Sequence, residues 1–291
     1  MASVIAPAGD CATQWDVATE IVRLGRWRCQ SSAAVMPERR QPWAMISFCY
    51  AGAYIATTDD GECVVDSGTL LLLNGSQAYR TRSLSRKGSF GTSISVSESV
   101  VREIEQFRTL STSLNPQTRI AEAELFGWLG DPAPLPNLAI EERVLELVGR
   151  ATRSLDRTIA GKAAEHTAAA KAVLAESFRE RVSLNQIAVR VGVSPFHLCR
   201  IFKSQTGFSL HQYVVRLRLF AALQYVADTT CNLSDLAHGL GFAQHSHLTS
   251  AFRRCFGVTP SEARRRLRNG KGNQAALKPD GLLMRCRTVA G

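Results

Sequence analysis

The stretch Ser183–Ser209 reads SLNQIAVRVGVSPFHLCRIFKSQTGFS, and Asn232–Thr259 repeats its pattern as NLSDLAHGLGFAQHSHLTSAFRRCFGVT. Three positions recur 49 residues further on, as Leu184 with Leu233, Ala188 with Ala237 and Gly192 with Gly241. Three more recur 50 residues further on, as Leu198 with Leu248, Phe202 with Phe252 and Gly207 with Gly257. Six matched positions indicate a duplicated unit with one residue inserted in its turn.

Each copy has the residues of two short helices around a tight turn. Ser183 and Gln186 form a capping-box pattern, which satisfies the first free amides of a helix. Gly192 ends that helix because glycine tolerates positive φ, and Ser194-Pro195 starts the next one. The second copy has a weaker cap, Asn232 with Asp235, and Gly241 at the break. The sequence therefore predicts two helix-turn-helix units.

One long helix, from Ser209 to Ala227, is predicted between the two units. It has 19 residues, and at about 1.5 Å per residue it spans roughly 28 Å. One turn of DNA measures about 34–36 Å. We therefore expect two recognition helices that enter successive major grooves of double-stranded DNA without a dimer.

The charge of the chain supports this interpretation. The net charge is +10, and between Glu165 and Gly270 there are 14 Lys/Arg against 6 Asp/Glu. Residues 1–164 carry 17 basic and 18 acidic residues, so the surplus belongs to the C-terminal part. Phosphate backbones attract such a segment through Coulomb forces and counterion release. An anionic membrane or a protein partner would also be attracted, so charge alone leaves the partner open.

Length and composition indicate a globular protein of two domains. The chain has 291 residues with 45% hydrophobic and 21% charged residues. No apolar run reaches the roughly 18 residues needed to cross a bilayer, and the N-terminus lacks a secretory pattern. We therefore expect a cytoplasmic protein with no membrane association. The eight cysteines match no zinc motif, which favours free, mostly buried thiols and leaves a redox-sensing thiol as the alternative.

Residues 20–96 have a different pattern, with short apolar runs separated by Gly, Asp and Asn. The runs are Trp43–Tyr50, Tyr54–Thr57, Cys63–Val65 and Leu70–Leu73, and Asp59-Asp60-Gly61 marks a hairpin turn. Short, regularly spaced strands predict a β-sandwich or barrel. Aromatic walls with a few polar groups are typical of ligand sites. The candidates for an effector site are Trp43, Phe48, Tyr50, Tyr54, Tyr79 and Arg80, with core packing as the alternative for each.

Enzymatic chemistry has no support in the sequence. All six histidines lie at or beyond His166, so the strand-rich region has none to offer a metal. No nucleophile elbow, phosphate loop or dinucleotide fingerprint is present. We therefore predict no catalytic residues, no metal and no cofactor.

A helical stripe follows the strands between Asn137 and Ile159. Ile140, Val144, Leu147, Ala151 and Leu155 are spaced by three or four residues, which gives one apolar face. We expect this face to pair two subunits in a homodimer, although packing against the protein's own strands would give the same stripe. The inter-domain linker is predicted near Asp156–Glu165. The tail after Asn269 has no sustained periodicity and is predicted to be disordered.

The region from about Leu174 to Arg265 resembles the DNA-binding domain of the AraC/XylS transcription regulators. The resemblance rests on SPFHLCRIFKSQTG, on RLRLFAA in the linking helix and on GFAQHSHLTSAFRRCFGVTPSEAR. YAGAYIATTDDGECVVDSGTLLLLNGSQAYR is similar to the cupin-like sensor domain that precedes many such domains. The resemblance implies an α+β protein of two domains. A cupin-like β-barrel with following helices spans residues 1–160, an all-α double helix-turn-helix domain spans 161–270, and a basic tail spans 271–291.

The resemblance also implies which residues face DNA. Phe196, Cys199 and Arg200 take this place in the first unit, and His245, Ser246, Thr249 and Ser250 in the second. Lys203, Ser204 and Arg253 lie on the same polar faces. Arg218 in the linking helix stands where the family usually has arginine, with packing or phosphate contact as its two roles. Relatives often carry arginine where Ser250 stands, so the second unit is expected to contribute mainly backbone contacts.

The family typically activates transcription near promoters and contacts RNA polymerase. We therefore expect an activator that responds to a small-molecule effector. The alternative within this class is a ligand-independent regulator controlled by its abundance or by a protein partner. Outside the class of transcription regulators, the alternatives are a helical protein-binding module and a basic scaffold. Equal affinity for all DNA sequences would favour the scaffold.

Overall fold

The computed structural model describes residues 11–29, 35–85, 88–104, 107, 110–129, 136–152, 162–180, 182–228 and 232–268. Within them the N-terminal part consists of two antiparallel sheets and three helices. The larger sheet contains, in spatial order, β1 (Cys11–Ala18), β2 (Val22–Cys29), β9 (Ser89–Val96), β4 (Ala44–Ala51), β7 (Thr69–Leu73) and β10 (Ser111–Ser113). The smaller sheet contains β3 (Arg39–Arg40), β8 (Ala78–Ser83), β5 (Tyr54–Thr58) and β6 (Gly61–Val65).

The expected strand-rich domain is confirmed, in the form of two facing sheets rather than one closed barrel. In the described ranges, no strand pairing joins the larger sheet to the smaller one. The predicted hairpin is present, since Thr58 pairs with Gly61 across the two-residue turn Asp59-Asp60. β1 begins before the region that the sequence analysis assigned to strands.

The central strands of the larger sheet are buried on both faces. On β4, Met45 and Cys49 point into the space between the sheets, whereas Ile46 and Phe48 point to the helices. On β7, Leu71 and Leu73 face the space between the sheets and Leu70 faces the helices. The larger sheet therefore separates the interior of the N-terminal domain from the helices that pack behind it.

The remaining elements are helical. Those of the N-terminal part are α1 (Glu98–Ile104), α2 (Pro116–Trp128) and α3 (Asn137–Thr152). Those of the C-terminal part are α4 (Lys162–Ser177), α5 (Leu184–Val191), α6 (Pro195–Thr206), α7 (Leu210–Asp228), α8 (Leu233–Gly239), α9 (His245–Phe256) and α10 (Pro260–Arg268). None of these helices has both the length and the apolar character needed to span a membrane. The predicted linker falls mostly on residues outside the described ranges, as does the tail.

The apolar stripe of α3 packs inside its own chain. Ile140, Val144, Leu147 and Ala151 are all buried in the main core, and Leu155 lies outside the described residues. The Arg143 guanidinium lies over the Trp128 ring of α2, 3.6 Å from the ring centre. Of the two explanations for the stripe, intramolecular packing is thus the one present. The stripe does not provide the free apolar face on which the dimer expectation rested.

A single hydrophobic core connects the larger sheet with the C-terminal helices. It contains Phe48 of β4 and Leu125 of α2 together with Phe220 of α7 and Phe252 of α9. A buried polar group lies at the same junction. The carboxylate of Glu122 accepts hydrogen bonds from the hydroxyls of Tyr50, at 2.5 Å, and Thr92, at 2.6 Å. Its other oxygen lies 3.5 Å from the Arg119 guanidinium, and burial raises the pKa of this carboxyl.

Candidate nucleic-acid interface

The first helix-turn-helix unit is formed by α5 and α6, as the sequence predicts. Ser183 accepts a hydrogen bond from the amide of Gln186, and the Gln186 side chain accepts one from the amide of Ser183. Gly192 ends α5 in the left-handed region at φ +79°, where a residue without Cβ is unstrained. The Ser194 hydroxyl then accepts from the amide of His197 and starts α6, with Pro195 in its first turn.

The second unit is formed by α8 and α9. Asn232 caps α8 by accepting from the amide of Ser234, and Gly241 turns the chain at φ +81°. Helix α9 follows Gln244, whose side chain makes no capping hydrogen bond. α6 and α9 have the same length of 12 residues, and their first residues lie 50 positions apart. The register inferred from the repeat is therefore kept in the structure.

The second helix of each unit buries one side and exposes the other. Leu198 and Phe202 of α6 and Leu248 and Phe252 of α9 are fully buried. The predicted DNA-facing residues of α6 are all exposed, namely Phe196, Cys199, Arg200, Lys203 and Ser204. Those of α9 are exposed as well, except for the half-buried Thr249, and comprise His245, Ser246, Thr249, Ser250 and Arg253. Each unit thus presents an exposed and mainly polar face, as major-groove reading requires.

Phe196 is unusual on this face because it is apolar and 81% exposed. No described neighbour covers its ring enough to bury it. Phenylalanine contacts the methyl group of thymine in the major groove. The exposed ring at the start of α6 is therefore chemically suited to such a contact.

Arg218, for which packing and phosphate contact are the two expected roles, forms hydrogen bonds within the C-terminal domain. Its guanidinium donates to three backbone carbonyls, those of Phe178 at 2.6 Å, Gly241 at 2.7 Å and Glu180 at 3.1 Å. Burial lowers the pKa of Arg218, because the charged form loses hydration. Arg218 therefore ties the end of α4 to the turn of the second unit, and its contact with phosphate stays a prediction.

A cavity lies between the two sheets of the N-terminal domain. Its volume is about 60 Å³, which exceeds the roughly 10–15 Å³ that a single water needs. Tyr54 and Tyr79 line it, as the sequence analysis expected. The lining residues that were missed include Trp27, Met36, Arg39, Gln41, Met45 and Ser93.

Four of the six predicted ligand-site residues are absent from the lining of this cavity. Phe48 and Tyr50 point to the opposite side of the larger sheet and belong to the main core. Trp43 lies beneath the Arg23 guanidinium, which is 4.2 Å from the ring centre. Arg80 is exposed and pairs with Glu38 at 3.2 Å. The assignment of these four residues to the ligand site is therefore wrong for this cavity.

The described cysteines correct part of the thiol prediction. Cys49, Cys63, Cys199 and Cys255 are free, whereas Cys29 is disulfide-bonded, and its Cα lies opposite that of Cys11 in the β1–β2 register. Burial raises the pKa of both Cys63 and Cys255 to about 11. Reactivity belongs to the thiolate, so these two thiols are poor redox sensors. In the part of the chain that the structure describes, no group of three or more His, Cys, Asp or Glu side chains is placed to bind a metal.

Comparison with known proteins agrees with the geometry of the C-terminal part. Residues 187–266 match the helix-turn-helix domain family. The HTH-type transcriptional regulator ArgR of Pseudomonas aeruginosa is 34% identical over 103 residues, covering 35% of this chain and 31% of ArgR. The HTH-type transcriptional activator RhaS of Escherichia fergusonii is 36% identical over 105 residues, covering 36% of each chain. The chain thus matches about a third of the length of these curated relatives.

One of several similar solved structures matches the same region. It is a transcriptional regulator from Chromobacterium violaceum described as an AraC-type DNA-binding domain-containing protein, with 30% identity and a TM-score of 0.34. The match covers 35% of this chain and 91% of that one. The paired units and the sequence matches define the C-terminal region as a double helix-turn-helix domain. This domain matches the helix-turn-helix domain family and is similar to the matched regions of the transcriptional regulators ArgR and RhaS.

Proposed function

We propose that this protein is a sequence-specific DNA-binding regulator of transcription. The observation that carries the proposal is the pair of helices α6 and α9, each buried along one side and exposing polar and basic residues along the other. The 19-residue helix α7 connects the two units, and at about 1.5 Å per residue it is roughly 28 Å long. This length is suited to two helices that read successive major grooves of one DNA face.

The exposed residues support a division of work between the two units. Arg200 has the length and the two donors to grip a guanine, and Phe196 offers an apolar surface to a thymine methyl. The second unit has His245, Ser246, Thr249 and Ser250 at its face, which make less selective contacts. We therefore assign most base reading to α6, and register and phosphate contact to α9.

We further propose that the N-terminal domain controls this activity through a small-molecule effector held between its sheets. The cavity combines aromatic walls with hydroxyl, amide and guanidinium groups, a combination typical of ligand sites. The second candidate is a ligand-independent regulator controlled by its abundance or by a protein partner. In both cases the regulator is proposed to activate transcription by contact with RNA polymerase. Homodimerisation would use a surface other than the α3 stripe, and sedimentation of the full chain measures it.

The DNA-binding proposal is tested by selecting bound DNA from a random library with the full chain. We expect one motif with two half-sites about 10–10.5 base pairs apart, centre to centre. A variant in which Arg200 and Arg253 are both replaced by alanine serves as the control and is expected to lose the motif. If the native chain enriches no sequence while still binding DNA, it is a basic scaffold and the proposal fails.

The effector proposal is tested by a screen for compounds that raise the melting temperature of the full chain. The control variant is Ser93→Leu, because Ser93 lines the cavity and is 4% exposed. A larger side chain there fills the space that a ligand needs. A compound that stabilises the native chain and not the variant supports the effector proposal. Equal stabilisation of both places the compound elsewhere, and a screen without any such compound favours the ligand-independent regulator.

A further inference from the structure

The carboxylate of Asp66, just before β7, joins the N-terminal sheet to the C-terminal domain. The Tyr213 hydroxyl of α7 lies 2.7 Å from Oδ2 of Asp66 and 2.9 Å from Oδ1. Oδ1 also accepts from the amide of Gly68, at 3.0 Å, and from the hydroxyl of Thr69, at 2.9 Å. The local bonds fix the carboxylate in the N-terminal domain, so the bond to Tyr213 holds α7 at a defined place.

The ring of the same tyrosine supports the first recognition helix. Tyr213 and Phe202 of α6 pack edge to face, with ring centres 5.2 Å apart and an interplanar angle of 84°. Both side chains are buried, in one cluster with Leu198 and Leu217. Aromatic pairs of this geometry are directional, because the edge of one ring is attracted to the face of the other. A movement of Tyr213 therefore moves Phe202 and, with it, the buried side of α6.

Two further contacts strengthen the same junction. The Lys171 ammonium of α4 lies 3.4 Å from the Thr69 hydroxyl and 5.7 Å from the centre of the Tyr213 ring. The Arg216 guanidinium of α7, one helical turn beyond Tyr213, donates to the carbonyl of Leu114 at 2.7 Å. Helices α4 and α7 both pack against α6 in the first unit. The N-terminal domain therefore contacts the two helices that support α6.

The junction leaves the DNA-facing side of α6 uncovered. Arg200 and Lys203 remain exposed while Phe202, on the opposite side of the same helix, is fully buried. The contacts around Tyr213 therefore leave the exposed side of α6 free to bind DNA. They act on its buried side, which sets the position of the helix. Leu71, on the same strand as Thr69, lines the cavity between the sheets, so β7 is shared by the cavity wall and this junction.

We infer that Asp66 is a positioning residue for DNA reading, which sets the place of the first recognition helix through Tyr213 and Phe202. This inference rests on the proposed function and assigns part of the DNA-reading machinery to the N-terminal domain. The protonation of Tyr213 is consistent with this role. Burial, together with the neighbouring Asp66 carboxylate, raises the pKa of Tyr213 well above its ordinary value, so the hydroxyl stays protonated and donates.

The test is the variant Tyr213→Phe in the full chain, which removes the hydroxyl and keeps the ring against Phe202. We expect it to lose at least about fivefold of its discrimination between the selected site and a site scrambled in the half read by α6. Discrimination at the other half-site is expected to stay unchanged. Tyr225→Phe is the matched control, since Tyr225 lies on the same helix and its hydroxyl accepts from Arg179 of the C-terminal domain, at 3.0 Å.

Variants of Asp66 separate positioning from general stability. Asp66→Ala is expected to lose at least as much discrimination as Tyr213→Phe, since it also removes the acceptor for Gly68 and Thr69. The double variant is expected to lose no more than Asp66→Ala, because both changes break the same bond to Tyr213. Asp66→Asn keeps a hydrogen-bonding group beside the hydroxyl and is expected to lose less. If Tyr213→Phe fails to fold, the comparison of Asp66→Ala with Asp66→Asn carries the test.

Three results would overturn the inference. They are unchanged discrimination by Tyr213→Phe, an equal loss at both half-sites, and an effect of Tyr225→Phe as large as that of Tyr213→Phe. Each of them leaves specific binding by the native chain intact, so the proposed function would survive. If the native chain itself shows no sequence preference, the proposed function is instead wrong.

Discussion

The two helix-turn-helix units share a scaffold and differ on the surface that faces DNA. α6 and α9 both end at a glycine in the left-handed region, Gly207 at φ +74° and Gly257 at φ +78°. Both bury leucine and phenylalanine at matching positions. On the exposed side, Arg200 corresponds to Ser250, 50 positions further on. The comparison teaches that the buried positions of the two units are alike because they maintain the same fold. The exposed positions differ in the contacts with DNA bases that we propose for them.

The units also differ in how the N-terminal domain holds them. The first is held by the bond between Tyr213 and Asp66. The second rests on α2, where the Gln117 side chain donates to the carbonyl of Phe256 at 3.3 Å, and where α2 packs against α9 and α10. The unit to which we assign most base reading is thus the one that the buried carboxylate of Asp66 supports.

The largest expected effect tests the shared scaffold. Phe202→Ala and Phe252→Ala each delete a phenylalanine with no exposed surface, and each is expected to lower the free energy of unfolding by roughly 3–5 kcal/mol. Thermal and denaturant unfolding of the full chain measure both losses. Similar losses would confirm that the two units have equivalent cores. An unchanged melting temperature for either variant would show that its phenylalanine is not a core residue.

The sequence predicted the C-terminal part well because its local signals agree with each other. Ser183, Gly192 and Ser194 mark helix ends through capping and positive φ, and the structure has the ends at those places, whereas α8 ends at Gly239, two residues before the positive-φ Gly241. Each helix also has one buried side, so the apolar spacing reveals it. The role of Arg218 was left open, because its partners are carbonyls 23 to 40 positions away.

The ligand-site residues were harder to predict for a physical reason. Every residue from Ala44 to Tyr50 is buried, because β4 has the cavity on one face and the helices on the other. An alternation of apolar and polar residues, which would separate the two faces, is therefore missing. Phe48 and Tyr50 consequently resemble cavity residues in sequence while they pack against helices. The cavity residues Trp27 and Met36 come from segments that the sequence analysis did not single out.

The next effect in size tests the difference between the two faces. Arg200→Ala is expected to cost about 1–3 kcal/mol of binding free energy at the specific site and to relax base preference there. Ser250→Ala is expected to leave base preference nearly unchanged, since a serine makes shorter and less selective contacts. Titration of the selected site and of single-base variants measures both. Equal losses from the two substitutions would show that reading is shared by the units.

The smallest effect concerns the start of each recognition helix. The Ser194 hydroxyl caps α6 by accepting from the amide of His197 at 3.2 Å, whereas Gln244 offers α9 no such bond. Ser194→Ala is therefore expected to cost about 1 kcal/mol of unfolding free energy, and Gln244→Ala almost nothing. Gln244→Ser is expected to stabilise the chain by several tenths of a kcal/mol if the new hydroxyl reaches a free amide. Denaturant midpoints of the three variants measure these changes. A loss from Gln244→Ala as large as that from Ser194→Ala would mean that α9 depends on its first residues as much as α6 does, and the units would then differ only in the residues they present to DNA.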